Sequence, residues 1–230
     1  MALDIFITLL VVSSVQSIFG TGVLLFGTPV LLLLDYSFQF ALILLLPISV
    51  SINLLQIKDS YKDIDFIFYY KLIFYSLPFV ALTLYFLDVF PNNLNLFIGI
   101  FLIFLSLKNK IALIQNFLSF FLKKEPIYLI LMGILHGLTN LGGSLLSGVI
   151  FNRSITKNSK RVTIAVCYLS MGLIQIVTLL VKLNPKEFLV NFNFIYWVFS
   201  IVIYFFVRQL IFDKINNAQY TMLSQLFLFL

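Results

Sequence analysis

The stretch Gly133–Arg153, GILHGLTNLGGSLLSGVIFNR, lies in a strongly apolar region and yet carries the only histidine, His136, together with Asn140, Ser144, Ser147 and a cluster of glycines. A helix in lipid has little use for such groups unless it faces other helices or a polar cavity. An earlier stretch, Ser17–Pro29 (SIFGTGVLLFGTP), reads as a worn copy of it: setting Gly20 against Asn140 aligns Gly22 with Gly142. With two extra residues allowed in the second loop, Asn53 falls opposite Gln175. The pair predicts an internal duplication, residues 1–113 against 127–230, with a transport path between the two copies.

Composition sets the class. The chain is 61% hydrophobic, its mean hydropathy is +1.08, and 10% of its residues are charged, against about 25% in a soluble domain. That predicts an all-α fold, a polytopic transmembrane helix bundle forming a single integral membrane domain over residues 1–230. Spans of about 20 residues leave room for about seven, four in the first repeat and three in the second. The net charge of +6 sits in short gaps between apolar runs, where topology signals lie, so nucleic acid is not the expected partner. The single Cys167 excludes an internal disulfide and a cysteine metal cluster. One histidine and few intramembrane carboxylates cannot build a metal site, and no cofactor is expected.

Residues 5–34 would make a helix of about 45 Å against a hydrocarbon core of about 30 Å. Gly20, Gly22, Gly27 and Pro29 supply the break this excess demands. A second span, Phe38–Ile57, carries Ser49, Asn53 and Gln56 at i, i+4 and i+7, one helix face. The third runs Phe66–Leu87 with Pro78 inside it and a turn at DVFPNN, and the fourth Leu94–Leu113, followed by an interfacial connection, Gln115–Leu122. The fifth is Ile127–Phe151, the sixth Val162–Val181 and the seventh Phe188–Phe212. Tyr220–Leu230 is half a span, a docked tail or an interfacial helix. With seven spans the basic residues divide almost evenly between the two sides and decide no orientation.

A glycine element and then a proline open the first half as GTGVLLFGTP, and TNLGGSLLSGV opens the second. In this pattern the chain resembles the TauE/SafE sulfite-exporter family of membrane permeases, over nearly its whole length. It departs in Val23 and Leu24, where the family has more glycines, and in Val149, which stands in place of the second proline. The resemblance implies transport of small sulfur-containing or organic anions, such as sulfite or sulfonates. With no second proline, the second element is expected to bend less than the first.

On a continuous helix His136, Asn140, Gly143 or Ser144, and Ser147 form one polar stripe. Uncharged donors beside a glycine-permitted break, with Gly142 at its centre, suit an anion. Gly20, Thr21 and Gly22 are their counterparts in the first copy, and Asn53, Gln56 and Gln175 line the path as amide donors. Ser13, Gln16 and Ser17 in the first span could line the path as well; the bland alternatives are helix contact through Gly133-xxx-Gly137 and Gly143-xxx-Ser147, and interhelical bonding by the amides and by these three residues. Arg153 is either an anion attractor at an entrance or a topology residue. Catalysis is not expected, because His136 and Ser144 on one helix stand about 12 Å apart in rise. The expectation is an alternating-access permease of a bacterial inner membrane whose partners are a small anionic substrate and the lipid bilayer, with a homo-oligomer left open. A membrane scaffold and a passive anion channel are the alternatives.

Overall fold

The computed structural model describes residues 3–87, 96, 98–101, 103, 124–182 and 193–229. Among them every regular element is helical: α1 (Leu3–Phe19), α2 (Val23–Leu33), α3 (Phe38–Ser60), α4 (Phe66–Tyr75), α5 (Leu77–Tyr85), α6 (Glu125–Thr139), α7 (Gly142–Phe151), α8 (Lys157–Lys182), α9 (Phe194–Val207) and α10 (Asn217–Phe229). The turn at 88–93, most of the fourth span and the Gln115–Leu122 connection lie outside the described residues.

Four stretches are long and apolar enough to cross a membrane: Phe38–Asp63, Phe66–Tyr85, Lys157–Lys182 and Phe194–Phe212. The second is α4 and α5 joined at Ser76, where Pro78 interrupts the backbone ladder because it has no N–H to give. The π-helical turn Arg208–Phe212 ends the last.

The two glycine elements depart from the expectation: each reverses instead of crossing. Tyr36, just past α2, donates its hydroxyl to the Asp4 carboxylate at the start of α1 (2.9 Å), so both ends of α1–α2 lie at one face of the bundle, the first face. That hydrogen bond holds the Tyr36 phenol above its ordinary pKa. In the second element Arg153, just past α7, pairs with Glu125 at the start of α6 (3.3 Å), and the Tyr128 hydroxyl donates to Leu145 O across the turn (2.8 Å). Residues 127–151 therefore form a helical hairpin in place of the single continuous helix expected. α1 and α6, at 17 and 15 residues, rise only about 25 and 22 Å.

The ends of the long helices show that the hairpins enter from opposite faces. α3 starts beside Tyr36 and finishes where Asp59 meets Arg208 (2.7 Å), which defines the second face. Asp65 at the start of α4 pairs with Arg153 at that same face. α1–α2 thus enters from the first face and α6–α7 from the second. Hairpins also re-sort the charges: Lys58, Lys62, Lys71, Lys124, Arg153, Lys157, Lys160, Arg161, Arg208 and Lys214 all gather toward the second face. Among the described residues Lys182 alone lies at the first. The even division expected from seven spans came from giving each hairpin a crossing it does not make.

The C-terminal segment is a docked helix. α10 places Tyr220 and Phe227 on Phe19 at the tip of α1 and on Phe151 at the end of α7, with ring centroids 4.7–6.2 Å apart. Cys167 is fully buried in the core.

Candidate functional site

Each hairpin turns on a residue in the left-handed region. Gly20 has φ +82° and Asn140 φ 63°, and each N–H closes the last turn of its first helix, onto Gln16 O (2.9 Å) and His136 O (2.8 Å). Left-handed geometry suits glycine and, among other residues, asparagine best, so the positions matched in the sequence do the same local work. Gly20 has a second constraint: a Cβ there would fall 2.5 Å from Arg161 O of α8. In the first element the break lies at Gly20–Gly22, while Gly27 and Pro29 are inside α2. The second element also reverses, without a proline at its break. The reduced bend expected from Val149 is not observed, because Asn140 supplies the reversal. The polar stripe dissolves for the same reason, with His136 and Asn140 ending α6 and Ser144 and Ser147 on α7.

Around the first tip the organiser is Gln16. Its Oε1 accepts from Val23 N–H at the start of α2 (2.9 Å), and its Nε2 lies within bonding distance of Ser49 O (3.0 Å), Ser49 Oγ (3.1 Å) and Asn53 Oδ1 (3.0 Å). Gln56 donates to Gln16 O (2.7 Å) and Ser17 O (3.3 Å), capping the carbonyl end of α1. The α3 face expected from the i, i+4, i+7 spacing is present and buried, and it grips the hairpin. At the second tip Gln175 Nε2 donates to Asn140 Oδ1 (2.7 Å), and Asn140 Nδ2 to Thr28 Oγ1 (3.0 Å). Asn140 therefore ties one hairpin to the other.

The two tips pass each other beside α8. A Cβ added to Gly143 would fall 2.9 Å from Thr21 Oγ1 and 2.5 Å from Tyr168 Cζ, and would overlap the Tyr168 hydroxyl. A Cβ on Gly142 would lie 2.6 Å from His136 Cβ. The His136 and Tyr168 rings meet edge to face at 5.5 Å. Thr21, His136, Asn140, Gly142, Gly143, Tyr168 and Gln175 thus form one cluster, with its polar side chains fully buried. Within it Thr21 Oγ1, both ring nitrogens of His136, the Tyr168 hydroxyl and Gln175 Oε1 make no hydrogen bond of ordinary geometry, although Thr21 and the Gly143 N–H lie beside the Tyr168 hydroxyl and Gln175 beside the His136 ring. Each such group costs about 1–3 kcal/mol when desolvated and unpaired. The start of α7 lies at the same place, its Gly143 N–H beside the Tyr168 hydroxyl and its Ser144 N–H turned back on Leu141 O (3.1 Å), and a helix start carries partial positive charge. Thr21 sits just before the start of α2, so two helix N-termini converge there.

Other expected residues fall elsewhere. Ser144 Oγ donates to Leu141 O (2.8 Å) and closes the turn; Ser147 is buried on α7 with its hydroxyl unpaired. Gly133 and Gly137 make the helix contact that their spacing allowed: a Cβ at Gly133 would lie 2.9 Å from Ser76 Oγ, and one at Gly137 2.6 Å from Val80 O. Arg153 is engaged by Asp65 and Glu125 and lies 4.6 Å over the Phe68 ring, a clamp between hairpin and α4. Tyr168 was not among the expected residues, and Gln16 stood evenly between lining the path and bonding between helices. For Tyr168 a signal existed, since it falls seven residues before Gln175 on the same face of α8.

In comparison with known proteins, the family model described as Sulfite exporter TauE/SafE matches residues 5–230. No curated protein and no solved structure matches the chain.

Proposed function

The chain belongs to the TauE/SafE sulfite exporter family, and we propose that it moves a small oxyanion, sulfite or an organic sulfonate, through the cluster between its two hairpin tips. The family is one of membrane permeases, and the apolar helices make this an integral membrane protein. One observation carries the finer reading: helix N-termini from hairpins of opposite entry meet at buried polar groups that make no hydrogen bond of ordinary geometry in the protein. The positive end of α7, the Thr21 and Tyr168 hydroxyls and a histidine ring offer donors to anionic oxygens without a fixed counter-charge. Such a site binds an anion and can also release it.

In this reading the hairpins are the inverted cores of the two repeats, and alternating access is a rocking of one against the other about the Asn140–Thr28 contact. The basic second face is cytoplasmic by the positive-inside rule, and the membrane is a bacterial inner membrane. Gln16, Gln56 and Gln175 hold the hairpins while Thr21, His136, Gly142, Gly143 and Tyr168 meet the anion.

The test is counterflow of radiolabelled sulfite into proteoliposomes preloaded with unlabelled sulfite or a sulfonate. Saturable, trans-stimulated uptake that falls in Thr21→Ala and Tyr168→Phe is expected. Uptake without saturation or trans-stimulation would make the protein a passive channel, and no flux of any small anion from folded protein would end the transport reading.

A further inference from the structure

Arg161, Tyr168 and Gln175 are spaced i, i+7 and i+14 along α8, so they share one face at steps of about 10 Å. They are 1%, 0% and 0% exposed. Tyr168 and Gln175 belong to the central cluster; Arg161 is the next step toward the second face, against the tip of the first hairpin. Its guanidinium carbon lies 3.4 Å from the centre of the Phe212 ring, one terminal nitrogen donates to Ser17 O (3.4 Å), and its Nε has no partner. The neighbouring carboxylate, Asp59, is already held by Arg208 (2.7 Å) and the Tyr204 hydroxyl (2.8 Å). Tyr220 of α10 meets the same Phe212 ring, centroids 6.0 Å apart and perpendicular, within electrostatic reach of Arg161. Tyr220 is 1% exposed, and its hydroxyl too has no partner. A guanidinium desolvated without its own carboxylate is expensive unless an anion completes it, and a guanidinium N–H beside a phenol O–H is a donor pair matched to two oxygens of one oxyanion.

We infer that Arg161 Nε and the Tyr220 hydroxyl form a second oxyanion subsite, one step along α8 from the central cluster on its cytoplasmic side, where the transported anion rests. The identity of the anion rests on the transport reading; the chemistry of the subsite does not. Because α10 supplies Tyr220 and packs Phe227 on Phe19 and Phe151, the subsite is closed toward the second face by the C-terminal helix.

The experiment is equilibrium binding of radiolabelled sulfite to the purified full chain in detergent, with bound phospholipid measured on the same samples. The wild-type protein is expected to hold a second anion besides the central one. Tyr220→Phe and Arg161→Lys should each lose that second anion while their thermal stability is kept. Tyr168→Phe should lose the central one. Equal binding in the wild type and Tyr220→Phe overturns the subsite. An anionic phospholipid that copurifies with the wild type and not with Tyr220→Phe makes the occupant a lipid phosphate and overturns its assignment to the transported anion. If flux is absent but Tyr220-dependent binding persists, the transport reading alone has failed. If flux is present and Tyr220→Phe binds like the wild type, the subsite alone has failed.

Discussion

Substituting Gly143 by alanine adds a single methyl group at the point where the two hairpins and α8 converge. The new Cβ would overlap the Tyr168 hydroxyl and stand 2.5 Å from its Cζ and 2.9 Å from Thr21 Oγ1. The phenol has nowhere to go, because Tyr168 is fully buried and its ring is already against His136. Overpacking of this kind costs about 1–3 kcal/mol, and a chain of this length loses roughly 2–4 °C of Tm for each kcal/mol. Gly148, on the same helix, has nothing within 4 Å of its Cβ position. There alanine should be neutral or gain up to about 1 kcal/mol from helix propensity. Thermal unfolding of both variants in detergent, followed by sulfite counterflow, gives the comparison. Gly143→Ala should lower Tm and flux, Gly148→Ala should not, and adding Tyr168→Phe to Gly143→Ala should recover part of the lost stability by removing the overlapping oxygen. Equal behaviour of the two alanine variants would refute the packing of Tyr168 on Gly143 and with it the geometry of the central cluster.

Gln16→Leu strands Val23 N–H and Asn53 Oδ1 and should cost about 2–6 kcal/mol, at 1–3 kcal/mol for each buried group left unpaired, read as a fall in Tm together with lost transport. Gln16→Glu keeps the acceptor for Val23 N–H but loses the donor and places a negative charge beside the path, so flux should fall further than stability. Arg153→Ala breaks pairs whose side chains are 20–32% exposed, so the cost should stay near or below about 1 kcal/mol and the KM for sulfite should not change; a raised KM would restore Arg153 as an anion attractor.

The places where the helices break were legible in the sequence. A run of thirty apolar residues is too long for one span, and Gly20 and Asn140 are residues that tolerate the left-handed turn. The direction of the chain beyond each break was not legible, because a left-handed residue permits either a kinked crossing or a reversal. The choice is made by contacts between chain ends, Asp4 with Tyr36 and Glu125 with Arg153, whose partners are about thirty residues apart. Reading the second element as a single helix produced both the polar stripe from His136 to Ser147 and the fifth span. The α3 face of Ser49, Asn53 and Gln56 could be read because it depends only on periodicity. Gln16 could not be distinguished from an ordinary interhelical amide until the turn placed Val23 N–H within its reach. Arg161 falls just outside the sixth span expected from hydropathy, Val162–Val181, because its helix starts at Lys157, about one turn earlier.

The shared site exists only if the two hairpins enter from opposite faces, and impermeant-maleimide labelling of single cysteines in a Cys167→Ala background tests that directly. Leu3→Cys, Asp35→Cys, Lys62→Cys and Asn152→Cys all occupy exposed positions. In intact cells Leu3→Cys and Asp35→Cys should both be labelled from outside, and Lys62→Cys and Asn152→Cys only after the membrane is opened. Labelling of Leu3→Cys and Asp35→Cys from opposite sides would mean that α1–α2 crosses the membrane, and would contradict the shared site at the hairpin tips.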